Sequence, residues 1–147
     1  MKLKALIFVL VPLLFVSCDS LFDKGDVEKT FSGPAQLEFK PLQQEVNQSS
    51  GSFDVAIQLI GEQRGSDLPV SFTVDGSSTA VEGTHYTLNS SSATIASGAS
   101  AATVTIDLID GNLAAGEEAT LILNLDDSGD VTAAPNLDQS TTFIIGS

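Results

Sequence analysis

Phe53-Asp54-Val55-Ala56-Ile57-Gln58-Leu59 carries a large apolar side chain at every second position, with Asp54, Ala56 and Gln58 between them. Successive side chains of an extended chain point to opposite faces, so this spacing predicts a strand with one face in a core and one in water. The same period continues outward in both directions. Leu37 and Phe39 precede it; Val70, Phe72 and Val74 follow, then Val104, Ile106 and Leu108, then Leu121, Leu123 and Leu125, and finally Thr141, Phe143 and Ile145. Shorter strands are expected around Tyr86 to Leu88 and around Ala93 to Ala96. Turn formers such as Asp75-Gly76-Ser77-Ser78 and Ser97-Gly98 separate these segments, and such residues take the backbone conformations that reverse a chain. Helix competes only over residues 112–119, where Gly116 sits in the middle and a strand pattern begins directly afterwards, which predicts a loop or a single turn. Seven or eight short strands and no helix make an all-β chain, built as an antiparallel β-sandwich.

Ahead of the strands, Lys2 and Lys4 introduce the apolar run Ala5 to Val16, closed by Ser17 and followed by Cys18, the only cysteine of the chain. The run is shorter than the roughly 20 apolar residues that span a bilayer. A basic start, an apolar middle and a small residue before the cysteine predict a lipoprotein signal peptide over residues 1–17. Cys18 is then the first mature residue and the lipid attachment point, acylated with palmitate or a similar chain, which also gives an otherwise unpaired extracytoplasmic thiol a use. Asp19 to Pro34 mixes charges, Gly and Pro without an apolar period, so residues 18–34 read as a flexible tether able to reach on the order of 50 Å. The sandwich domain is expected over residues 35–147. The expected location is the cell envelope, lipid-anchored in the outer membrane of a Gram-negative bacterium.

The chain has 6 basic and 19 acidic residues in 147, a formal charge of −13. Removal of residues 1–17 takes Lys2 and Lys4 with it and leaves 4 basic residues against 19 acidic ones, or −15. Nucleic acid is excluded as a partner, because phosphate binding is driven by lysine and arginine displacing counterions. Catalysis has little to stand on. The one histidine, His85, stands beside no recognisable nucleophile motif, and there is neither a Gly-rich phosphate loop nor a Cys/His metal spacing. Asp126-Asp127 and Glu117-Glu118 are paired acids, but neighbours on a strand face opposite ways. The expectation is that the protein is not an enzyme.

The segment from Val70 to Asp127 resembles a Calx-beta domain. The residues that carry the likeness are Val74-Asp75-Gly76-Ser77, Gly83-Thr84-His85-Tyr86, Ala93-Thr94-Ile95-Ala96-Ser97-Gly98, Val104-Thr105-Ile106-Asp107-Leu108-Ile109-Asp110 and Gly116-Glu117-Glu118. The resemblance implies an immunoglobulin-like sandwich of seven strands, an adhesive or extracellular role, and loops at one end that bind calcium. Carried over residue by residue, it offers Asp110, Glu117 and Glu118 as calcium ligands. Two departures weaken that site: Gly111 stands where the family has a second Asp, and His85 where it has an Asp before the Tyr. Calcium takes six to eight oxygen ligands, and imidazole is a poor substitute. Glu82, Asp75 and Asp138 compensate only if their loops meet there, and His85 is expected to be an exposed strand-end residue. No cofactor is required on this reading.

Partners are therefore expected to be the membrane, through the anchor, and a protein or another cell-surface molecule, through the sandwich. A glycan platform is disfavoured by the absence of Trp and by Tyr86 being the only Tyr. The functional expectation is an interaction module for protein contact or adhesion, with a structural subunit of an envelope complex, or a calcium-binding adhesive domain, as the alternatives.

Overall fold

The computed structural model describes residues 33–147. The signal segment, Cys18 and nearly all of the tether lie outside the described residues. Within them the chain forms β1 (Gln36–Lys40), β2 (Gln43–Asn47), β3 (Ser52–Ile60), β4 (Leu68–Val74), β5 (Tyr86–Thr87), β6 (Ser92–Ile95), β7 (Ala101–Leu108), β8 (Glu118–Leu125), β9 (Thr132–Ala133) and β10 (Gln139–Ile145), with one 3₁₀ turn at Gln48–Ser50. Two five-stranded sheets result, in the orders β5-β7-β3-β1-β9 and β2-β10-β8-β4-β6. All eight expected strands are present, residues 112–117 are loop, and β2 and β9 are additions.

Period two placed the core correctly in most strands. Leu37, Phe39, Val55, Ile57, Phe72, Ile106 and Leu121 are almost completely buried between the sheets. Phe39 from one sheet meets Phe72 from the other edge to face, with ring centroids 6.2 Å apart at 73°. That geometry sets the electropositive ring edge against the electronegative face and adds about 0.5–1.5 kcal/mol to the burial itself.

β10 departs from the expected register. Ser140, Thr142 and Ile144 are its buried residues, whereas Thr141, Phe143 and Ile145 are only half-buried. Its pairing with β8 decides this, because Ser140 lies opposite Leu123, Thr142 opposite Leu121 and Ile144 opposite Ala119. Directly paired residues share a face, and β8 already commits its leucines to the core. The two buried hydroxyls have partners: Ser140 Oγ donates to the Pro41 carbonyl at 2.8 Å, and Thr142 Oγ1 accepts from Gln44 Nε2 at 3.2 Å.

Most pairing is antiparallel, as expected, but β1 pairs with β9 and β2 with β10 in parallel. The reason is the entry of the chain. β1 belongs to one sheet and β2 to the other, and the chain crosses between them at Pro41-Leu42, where proline has no N–H to continue a ladder. The Leu42 carbonyl then accepts from the Thr141 N–H at 2.9 Å, which starts the β2–β10 ladder.

Candidate functional site

The calcium candidates lie at the end of the sandwich where β7 stops and β8 begins. Asp110 is exposed in the loop after β7, Glu117 is exposed just before β8, and Glu118 is the first residue of β8, opposite Ile145. The loop is pinned by uncharged groups. Gln48, buried under it, donates from Nε2 to the Leu113 carbonyl at 2.7 Å and accepts from the Leu113 N–H at 3.1 Å. Asn112 Nδ2 donates to the Thr84 carbonyl at 2.6 Å, and the Ile109 N–H to the His85 carbonyl at 3.0 Å.

The acids themselves do not converge. The Glu117 carboxylate accepts from the Ala114 N–H at 2.8 Å and so closes its own turn. Gly111, in place of an acid, has φ 87°, a conformation that a side-chain-bearing residue adopts only under strain. His85 is a half-buried turn residue whose Nδ1 accepts from the Val81 N–H at 2.9 Å, so it is not an exposed strand end. Asp138 accepts, through its carbonyl, from the N–H of Leu125 at the opposite end of β8, about 24 Å from Glu118 at the rise of a strand. Asp75 is engaged locally, accepting from the Ser77 N–H and hydroxyl at 2.8 and 2.5 Å and from Asn124 Nδ2 at 2.7 Å. Those bonds, Ser77 foremost, hold its carboxyl at a pKa of about 2. Among the described residues no group of three or more His, Cys, Asp or Glu is placed to hold a metal ion. The residues present do not fit the calcium site that the family resemblance implies.

Two further titratable groups mark local structure. Tyr86 is buried, and burial, helped by Glu82, raises its phenol pKa. Asp130 is held low by Arg64, whose guanidinium donates to it in a fork at 2.9 and 3.2 Å. Tyr86 belongs to the core, and the Arg64–Asp130 pair ties two loops together.

The outward edge of β7 forms a different surface. In β7 the Leu108 N–H donates to the Gly51 carbonyl, and the Ser100 carbonyl accepts from the Leu59 N–H. Peptide groups alternate sides along a strand, so the even-numbered residues of β7 face β3 and the odd-numbered ones face away. Asp107 is met there by Thr87 of β5, and the Ile109 N–H by the His85 carbonyl. β5 ends at Thr87, and the outward N–H and C=O groups of Ala101, Thr103 and Thr105 have no hydrogen-bonded strand, because β6, which packs close to β7 across a groove, pairs with β4 instead. These three residues are exposed. Thr103 and Thr105 border a groove of about 460 Å³ whose walls also include Asn89, Ser92, Ala93 and Val104. Sequence periodicity identified β7 as a strand but carries no signal for which of its edges is paired.

The fold is an immunoglobulin-like β-sandwich similar to that of Calx-beta domains. The apo-form Calx CBD1 domain superposes with a TM-score of 0.67 at 19% identity, over 78% of this chain and 99% of that one. The Calx CBD2 domain gives 0.66 at 10% identity, over 80% of this chain and 91% of that one. A chain of the CsuC-CsuE chaperone–tip adhesion subunit pre-assembly complex, from the chaperone-usher Csu pili of Acinetobacter baumannii, gives 0.50 at 15% identity, over 76% of this chain and 57% of that one. No family model matches the sequence, and no curated protein matches it.

Proposed function

We propose that this protein is a lipid-anchored extracytoplasmic lipoprotein whose β-sandwich is a binding module that contacts another protein at the cell surface, and that it is not an enzyme. The observation that carries the contact is the unpaired stretch of β7, which leaves three successive outward peptide groups without a ladder partner beside a groove. The similarity in fold to a chain of a chaperone–subunit complex supports protein as the partner class. The anchor rests on the sequence alone: Cys18 follows a basic and apolar leader ending in Ser17. Acylation at Cys18, with outer-membrane residence, would hold the module at the envelope and let the tether present it. Metabolic labelling with a palmitate analogue tests the anchor, with label expected on the wild type and absent from Cys18→Ser. Equal labelling of both would remove the lipoprotein reading.

A further inference from the structure

We infer that the open edge of β7 is a β-augmentation site for an extended protein segment that alternates aliphatic and basic residues. This rests on the binding-module reading above and specifies its site and the chemistry of its partner. Proteins protect exposed strand edges with charged residues, proline, bulges or very short edge strands. The other sheet edges among the described residues are short or have such a device over at least part of their length. β5 and β9 are two residues long, and β2 carries Glu45. On β6 the Ser90 hydroxyl accepts from the Ser92 N–H and donates to the Ser92 carbonyl, which covers that residue's outward groups. The β7 stretch Ala101-Ala102-Thr103-Val104-Thr105 has neither charge nor proline, in a chain with 19 acidic residues.

The surroundings select the occupant. A strand laid beside β7 extends the line of β5 and meets the N–H and C=O groups of Ala101, Thr103 and Thr105. Its inward side chains enter the groove between β7 and β6, where Ala93, Ala102 and Val104 stand among serine and threonine side chains and their small size leaves room for valine, isoleucine or leucine. Its outward side chains lie on the face that carries Asp54 and Asp107. Asp54 accepts from the Thr105 hydroxyl at 2.6 Å and Asp107 from Asn89 Nδ2 at 2.8 Å. Asp107, on β7 itself, is a cross-strand neighbour within reach of a long side chain, and Asp54 lies one strand further on, so lysine or arginine suits those positions. A second copy of this chain is a poorer occupant, because two bodies of formal charge −13 repel each other.

The test uses the purified full chain in detergent micelles and a short synthetic peptide that alternates valine with lysine. Hydrogen exchange over residues 100–106 is expected to slow at least about tenfold when the peptide binds, as newly paired amides do, and the effect should fade with added salt. Thr103→Pro removes an outward N–H that the fold does not use, so peptide binding should fall about tenfold or more with the sandwich intact. Thr103→Lys keeps the backbone and repels the basic segment, so it should weaken binding as well and guards against misfolding of the proline variant. Unchanged exchange with peptide, or undiminished binding by both variants, overturns the inference. Protection of this segment that grows with protein concentration alone also overturns it, since a second copy then holds the edge. Peptide protection together with failed Cys18 labelling would leave the edge site standing and remove only the anchor.

Discussion

Phe72 and Asp75 lie three positions apart and stabilise the fold by different means. Phe72 is 1% exposed and packs its ring across the sandwich on Phe39. Phe72→Ala leaves a void between two sheets that cannot close over it, and the expected loss is about 3–5 kcal/mol, read from urea unfolding. A variant as stable as the wild type would mean that the ring is not central. Asp75 contributes through ionisation. Its folded pKa of about 2 lies below the ordinary 3.8 because the charged carboxylate accepts three hydrogen bonds, so the folded state binds its proton less readily than the unfolded one. A lowered pKa gives stability that is present above pH 3.8 and is lost as pH falls towards 2. Melting temperature followed from pH 5 to pH 2 should therefore fall less steeply in Asp75→Ala than in the wild type, with the Asp75-dependent part confined to that window. Parallel curves would show that these bonds do not discriminate between protonation states.

At the scale of the element, β10 shows how pairing overrides local pattern. Its sequence Gln-Ser-Thr-Thr-Phe-Ile-Ile contains adjacent apolar residues at Phe143, Ile144 and Ile145, so periodicity alone cannot assign a face. Its ladder with β8 buries Ile144 completely and leaves Phe143 half-buried opposite Thr120. Ile144→Ala is accordingly expected to cost about 2–5 kcal/mol, and Phe143→Ala clearly less despite its larger side chain. The reverse order in denaturant midpoints would contradict the register. β2 was invisible for a related reason. Gln43-Gln44-Glu45-Val46-Asn47 has a single apolar residue, and the strand exists because Thr141 to Ile145 offer it a parallel partner.

For the whole molecule, charge dispersion decides the response to ions. The acids are spread over the described surface without converging on a metal site, and the formal charge of −13 creates a general self-repulsion. Divalent cations screen that repulsion whatever their coordination preference. Millimolar calcium and magnesium are expected to raise the melting temperature by similar, small amounts, and Asp110→Asn to alter neither response much. Calcium-selective stabilisation that disappears in Asp110→Asn would refute this and restore calcium binding at the β7–β8 end.

Period two in Leu37 to Phe39, Phe53 to Leu59, Val70 to Val74, Val104 to Leu108 and Leu121 to Leu125 established the all-β class and most of the core. That information is local: side-chain alternation is a property of each strand by itself. Turn-sized motifs between Val74 and Glu118 were enough to indicate the Calx-beta kind of sandwich. Only the tertiary structure decided which face of β10 is inward, that β2 and β9 form at all, that Gln48 pins the Asp110 loop, and that the outward edge of β7 is open beyond Thr87. Each of these depends on which strand lies beside which, a relation between residues distant in sequence. No alternation within one segment encodes it, because a strand has the same period whether its edge is paired or free.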